Sequence, residues 1–306
     1  MKALVTGGAG FIGSHTVDKM LDKGWEVVVL DNLSTGLRDN LDSRAKFIEM
    51  DIVDSGLSQV FAQERFDYVV HLAAQTAVPY SIDHPDIDCK INLLGLVNVL
   101  EACRQTSVKR VVLSSSAAVY GDVDRLPITE DCVLNPASFY GLTKLTSEKY
   151  LALYHQIHGI DYVAFRYANV YGERQGDGGE GGVVSIFTRK IRHDQPVQVF
   201  GDGGQTRDFI YVGDVAEANC QVLTAPQAAV NRVYNISTQS QISVNDLVEL
   251  LAEAAGKQVA KVHVSARDGD IYHSMLSNRA AIDNICWKPQ MMLAEGLRRT
   301  YHSLNK

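Results

Sequence analysis

Tyr140 and Lys144 stand four positions apart in NPASFYGLTK (135–144), so one helical turn would set a phenol and an ammonium on the same face. A phenol with a pKa of about 10 is a poor base at neutral pH. A neighbouring ammonium favours the phenolate and lowers that value. The pair can then take the proton of an alcohol whose carbon gives up hydride. Ser116 closes the run RVVLSSS (110–116) and can hold the same alcohol oxygen. A lone Tyr-x-x-x-Lys also arises by chance on a solvated helix face, so the pair needs company before it means anything.

Company stands at the start of the chain. TGGAGFIG (6–13) follows the apolar run KALVT (2–6) and opens a helical pattern, with Gly7, Gly10 and Gly13 spaced G-x-x-G-x-x-G. Glycines there allow a tight turn, close approach of backbone to a pyrophosphate, and close packing of helix on strand. The second apolar run, EVVVLD (26–31), ends in Asp31, where a carboxylate would accept hydrogen bonds from ribose hydroxyls and repel a 2′-phosphate. That points to NAD rather than NADP. The plainer reading of Asp31 is a turn cap.

The elements that must carry these residues alternate. Apolar runs at 2–6, 26–31, 46–51, 67–73, 110–116 and 161–167 are rich in Val, Ile and Leu, as strands buried on both faces are. Helical patterns at 12–23, 55–64, 86–106 and 140–158 lie between them. This predicts an α/β fold: a Rossmann-like, doubly wound parallel sheet over residues 1–167, with a segment near 205–236 returning to it. Residues 168–306 are expected to form mainly a smaller C-terminal α/β lobe, with helices near 243–256 and 293–304. The chain of 306 residues is 46% apolar and 21% charged with a net charge of −7. An acidic balance argues against nucleic-acid or anionic-membrane surfaces. The five cysteines are scattered (Cys89, Cys103, Cys132, Cys220, Cys286), suggesting reduced thiols in the cytoplasm rather than a zinc site or disulfides. No run is long enough for a membrane span, and the N-terminal apolar run is too short for a signal peptide.

The glycine triplet, SSSAAVYG (114–121) and Tyr140-x-x-x-Lys144 together resemble the extended short-chain dehydrogenase/reductase family. RYANVYG (166–172), VFGDGGQTRDFIYVGDVAEA (199–218) and RDGD (267–270) extend the resemblance over nearly the whole chain. Within it, the pattern is most similar to nucleotide-sugar 4-epimerases of the UDP-galactose 4-epimerase type. The resemblance implies Ser116, Tyr140 and Lys144 as catalytic residues. It implies an NAD site made by Gly7, Gly10, Phe11, Ile12 and Gly13, by Asp31, Asn32, Asp51 and Ile52, by Leu72, Ala73, Ala74 and Asn92, and by Ser114, Tyr140, Lys144 and Tyr167. Ser116, Tyr140, Asn169, Gln198, Phe200, Arg207, Arg267, Asp270 and Ser274 would meet a UDP-sugar. Arg207 and Arg267 suit a diphosphate because a guanidinium pairs bidentately with phosphate oxygens. Either arginine could instead pair with its neighbouring aspartate.

Ala117 and Ala118 stand where related dehydratases carry an acid–base pair, so elimination has no catalyst and a redox cycle at carbon 4 remains. Hydride and proton leave, the 4-keto sugar turns over, and both return to the opposite face with NAD regenerated. Ser274 after RDGD, in place of a bulky ring, predicts room for N-acetylated sugars, whereas Tyr272 would close the pocket. Arg174 could reach a uronate carboxylate. The lysine that contacts the cofactor in some members has no counterpart in AAQTAVPYSIDHP (73–85), and Ser81 there could touch the sugar or cap a turn. A reductase, dehydratase, decarboxylase or glucuronate epimerase is the enzymatic alternative. A non-catalytic dinucleotide-sensing or RNA-binding relative fits poorly with an intact Ser, Tyr and Lys on an acidic chain. The resemblance also implies a homodimer through helices 86–106 and 140–158, with Leu93, Leu96, Leu151 and Leu153 as interface or core.

Overall fold

A computed structural model of the protein describes residues 1–176, 181–266 and 271–303. β1 (Lys2–Thr6) turns through the glycines into α1 (Phe11–Asp22), followed by β2 (Glu26–Asp31), β3 (Lys46–Glu49), α2 (Leu57–Glu64) and β4 (Tyr68–His71). Two short helices, α3 (Val78–Asp83) and α4 (Pro85–Cys89), lead through a π-helical turn (Lys90–Leu94) into α5 (Gly95–Thr106). β5 (Arg110–Ser116), α6 (Phe139–His158) and β6 (Asp161–Tyr167) come next. Beyond them lie β7 (Asn169–Tyr171), α7 (Val183–Arg192), β8 (Val197–Phe200), β9 (Thr206–Arg207), β10 (Phe209–Tyr211), α8 (Val212–Leu223) and β11 (Arg232–Ile236). The chain finishes with β12 (Ile242–Ser243), α9 (Val244–Ala255), β13 (Lys261–Val264), α10 (Arg279–Ile285) and α11 (Leu293–Ser303).

Seven parallel strands form one sheet in the order β11-β6-β5-β4-β1-β2-β3. The order reverses between β1 and β4, which opens a crevice at the carboxyl ends of those strands. Alternation along each strand builds two cores. Val5, Val29, Val70 and Val112 face one side, with Met20 of α1, Val215 and Val222 of α8, and Trp287. Leu4, Val28, Val69 and Val111 face the other, with Phe61, Leu96, Leu100 and Leu151 of α2, α5 and α6. β11 sits at the sheet edge beside β6 and α8 packs on α1, so residues after 205 re-enter this layer. A third core gathers Tyr171, Val184, Phe187, Val197, Phe209, Leu247 and Leu297 under three two-stranded sheets.

Two expectations change. Residues 86–106 are not one regular helix, because the π-helical turn at Lys90–Leu94 interrupts the run and turns Asn92 inward to 3% exposure. Such bulges tend to mark functional sites. Leu96 and Leu151 are core residues at 0% and 1% exposure, so neither serves a surface between subunits. The large apolar side chains that α6 does show to solvent are Phe139, Leu142, Tyr150, Leu153 and Ile157, and Leu94 projects from the π-helical turn nearby. Among the described residues, no helix is long and apolar enough to cross a membrane.

Candidate active site

The glycine turn is shaped by close approach. Gly7 has φ +68°, and a Cβ there would stand 2.6 Å from the Ala73 amide nitrogen. A Cβ at Gly13 would fall 2.0 Å from the Gly7 carbonyl oxygen. Only glycine lets α1 start this near β4. Gly10 N–H donates to Gly7 O, and Ser14 N–H closes the first helical bond on Gly10 O. The first-turn amides of Phe11 and Ile12 have no intrahelical acceptor and make an anion-binding terminus. The cradle that side chains would fill therefore fits a dinucleotide pyrophosphate.

Asp31 closes the cradle's far side at 7% exposure. It accepts from Ala9 N–H at 2.9 Å and Leu33 N–H at 2.8 Å, which ties the glycine loop to β2. A carboxylate has about four acceptor sites, so two can still meet ribose hydroxyls. Asn32 donates from Nδ2 to Asp51 at 2.8 Å, and Asp51 also accepts from Val53 N–H, with Ile52 buried between them. Leu72 N–H donates to Thr6 O, and Ala73 N–H to Thr6 Oγ1, which carries Ala73 and Ala74 along the crevice floor. The Thr6 hydroxyl meets His71 Nδ1 at 2.8 Å. Burial, with Lys144 adding to it, holds His71 down to about 3 and therefore neutral. Tyr167 is a core residue at 5% exposure and donates its hydroxyl to Asn219 of α8 at 2.7 Å.

Lys144 is buried at 4% exposure, donates from Nζ to the Ser114 carbonyl at 2.8 Å, and lies 5.7 Å from the Tyr140 ring centroid. Burial lowers its ammonium to about 8, with Asp88 acting in the opposite direction. Ser116 accepts from Ala118 N–H at 3.2 Å, which sets its rotamer while the hydroxyl proton can still be donated. Ala117 and Ala118 lie in the 3-10 turn that follows. α6 is seated by Ser138, which caps Gly141 N–H, and by Ser81, whose Oγ accepts from Tyr140 N–H at 3.2 Å. Ser81 is fully buried and donates to Val78 O, so it braces the helix. One turn on from Lys144, Glu148 pairs with Arg166 of β6 at 2.7 Å, and Ser115 donates to the same carboxylate.

In the C-terminal part, Asn169 is exposed at the start of β7 and its amide reaches Asp208 O at 3.4 Å. Arg207 lies half-buried on β9, whereas Asp208 is fully buried, accepting from Thr238, Gln239 and Leu276. Ser274 N–H donates to Thr206 O, which sets Ser274 against β9. The half-exposed Tyr272 donates its hydroxyl to Asp202 at 2.9 Å. Gln198 is exposed and Phe200 half-buried on β8, with Phe200 O tied to Gln205. Arg267 and Asp270 lie outside the described residues. Arg174 is bound to Asp18 of α1 at 2.8 Å and lines a cleft with Asp22, Asp39, Asp42 and Arg44. Among the described residues no cluster of three or more His, Cys, Asp or Glu could hold a metal ion.

The motif reading missed Gln75, Asp88 and Thr143, which form a buried network with Asn92 beside Lys144. Asp88 and Asn92 are four residues apart on a helical pattern, and that spacing was the available signal.

A base beside a dinucleotide cradle, at the switch point of a doubly wound sheet, defines a nicotinamide-dependent enzyme acting on an alcohol carbon. The chain belongs to the NAD dependent epimerase/dehydratase family, whose profile matches residues 3–237. It is 39% identical to the UDP-glucose 4-epimerase of Mycolicibacterium smegmatis, over 98% of this chain and 97% of that one. The crystal structure of a Thermotoga maritima UDP-glucose 4-epimerase with UDP-glucose superposes with a TM-score of 0.96 at 40% identity, covering 100% of this chain and 99% of that one. A UDP-N-acetylglucosamine 4-epimerase from Methanobrevibacter ruminantium, in complex with UDP-N-acetylmuramic acid, gives 0.94 at 34% identity over 99% and 98%.

Proposed function

We propose that the protein is an NAD-dependent UDP-sugar 4-epimerase that inverts carbon 4 of UDP-glucose and UDP-galactose, and also accepts their N-acetylated counterparts. The observation that carries this reading is the buried Lys144 ammonium beside the Tyr140 ring, bonded to Ser114 O at the carboxyl end of β5. The relatives named above supply the substrate class. NAD, when bound, supplies the hydride acceptor and donor.

The glycine cradle and Asp31 hold the dinucleotide, and Asn92, Ser114 and Lys144 line its inner end. Ser116 donates to the 4-hydroxyl oxygen and aligns it. Tyr140 takes the 4-hydroxyl proton, with Lys144 stabilising the phenolate. The sugar, now a 4-keto hexose, turns about its diphosphate link, and Tyr140 returns the proton once the opposite face is presented. Asn169, Arg207 and Arg267 anchor the diphosphate so that the intermediate does not escape. Asp270, Gln198 and Phe200 serve the uridine. Ala117 and Ala118 offer no acid or base for elimination, and Arg174 is already committed to Asp18, which disfavours a uronate.

The same reading makes the protein a cytoplasmic homodimer. Leu142, Tyr150, Leu153 and Ile157 on α6, with Leu94, form its contact, and buried thiols at Cys103 and Cys220 suit a reducing compartment.

The test is to incubate purified protein with UDP-glucose or UDP-N-acetylglucosamine and no added NAD, and to follow the sugar by proton NMR. Conversion to the galacto epimer at unchanged mass is expected. Stoichiometric oxidation, loss of water, or no turnover of either sugar would sink the reading.

A further inference from the structure

Asp88 is a fully buried carboxylate on α4, a place where surface solvation cannot account for its charge. Its Oδ1 accepts from Gln75 Nε2 at 2.7 Å and Asn92 Nδ2 at 3.1 Å, and its Oδ2 accepts from Thr143 Oγ1 at 2.7 Å. The donors are themselves braced. Gln75 N–H donates to Asn92 Oδ1 at 2.9 Å, Asn92 Nδ2 donates to Gln75 O at 3.0 Å, and Ser147 of α6 donates to Asn92 O. The π-helical turn is what brings Asn92 into this frame. Three neutral donors solvate a carboxylate but do not cancel its charge, and a buried charge is costly without a partner.

Asp88 is tied to Thr143, and the next residue along α6 is Lys144, a cation at 4% exposure whose ammonium makes no direct ion pair with Asp88 but donates to Ser114 O. The other titratable groups near Lys144 are Tyr140 on its own helix, His71 on β4, which is neutral, and Glu148 one turn on, whose charge is met by Arg166. Glu148 has its own cation, whereas Asp88, sealed at 0% exposure and bonded to the residue before Lys144, is in no ion pair among the described residues.

We propose that Asp88 is the counter-charge and positioning residue of Lys144, holding it protonated through the Gln75–Asn92–Thr143 frame so that Tyr140 can work as a phenolate. The inference rests on the proposed roles of Tyr140 and Lys144. Asp88 touches no substrate; it acts through Lys144. The active form needs Lys144 charged and Tyr140 ionised, so the pH window lies above the Tyr140 pKa and below that of Lys144. Removing a nearby negative charge lowers both values, because it weakens the ammonium and relieves the phenolate. The window should then slide toward acid.

The test compares wild type, Asp88→Asn and Thr143→Val as full-length holoprotein. Epimerisation by wild type establishes the parent reading independently. In Asp88→Asn the alkaline limb of the kcat profile should move acidward by about one pH unit. With the wild-type limb at about 8, kcat should fall about twofold at pH 7 and about fivefold at pH 8, with KM for UDP-glucose little changed. Thr143→Val keeps the charge but loses one tie, so the same shift should appear in smaller size; it carries the test if Asp88→Asn does not fold. A limb unmoved in the folded variants, with wild type active, overturns the Asp88 role alone.

A second readout needs no turnover and decides the matter if wild type proves inactive. Asp88→Asn leaves Lys144 charged without compensation, so the variant should recover stability toward wild type between pH 7 and pH 9 as that ammonium deprotonates. A stability deficit that stays constant with pH would mean that Asp88 only packs.

Discussion

Gly141, on the first turn of α6, lies so close to the Ala118 carbonyl oxygen that a Cβ on it would stand 2.5 Å away. The helix bearing Tyr140 and Lys144 is thereby pressed onto the turn that follows Ser116. Gly141→Ala forces the helix or that turn to move, an overpacking that costs about 1–3 kcal/mol. It should reduce kcat more than it alters KM for UDP-glucose, since the contact sets the Tyr140–Lys144 helix against the turn after Ser116. Thermal unfolding and steady-state kinetics check this together, and unchanged kcat in a folded variant would show that the close approach is not needed.

His71 gives the protein an acid limb of stability. Burial keeps its native pKa near about 3, below an unfolded value of about 6.5. The unfolded chain therefore binds more protons between those values, and stability falls as pH drops below 6.5 by about 1.4 kcal/mol per unit. Between pH 6.5 and pH 5 this single group removes about 2 kcal/mol. His71→Gln should flatten the limb by that amount in urea unfolding at the two pH values. An equally steep variant would assign the acid sensitivity to other groups.

Ser274, tied by its backbone to Thr206, is the proposed opening for an N-acetyl group. Ser274→Tyr refills that volume. It should lower kcat/KM for UDP-N-acetylglucosamine by about tenfold or more while leaving UDP-glucose nearly untouched, since pocket volume discriminates on this scale. If both substrates fall together, Ser274 does not border the sugar.

Leu142, Tyr150, Leu153 and Ile157 recur at helical spacing along α6 and are 48%, 38%, 50% and 62% exposed. A stripe of this kind marks an interaction surface. Leu153→Glu should convert a dimer to a monomer in sedimentation velocity without loss of helix content. A wild type that sediments as a monomer, or a variant that still dimerises, would place the interface elsewhere or remove it.

Composition and pattern determined most of the sheet. Doubly buried strands must be apolar on consecutive residues, and the runs at Lys2–Thr6, Glu26–Asp31, Arg110–Ser116 and Asp161–Tyr167 carry that mark unambiguously. The glycine turn was equally legible, because local geometry permits few alternatives there, while the Tyr140–Lys144 spacing gained its meaning only from the motifs around it. Tertiary structure decided what depends on contacts between distant segments. Leu96 and Leu153 look alike in sequence, yet one is wrapped by α2 and β-strand side chains and the other faces solvent. The π-helical turn, the inward Asn92 and the burial of Asp88 beside Lys144 arise from packing α4 and α5 against α6. A helical period cannot announce an extra residue in one turn, nor which carboxylate the fold will seal away from water.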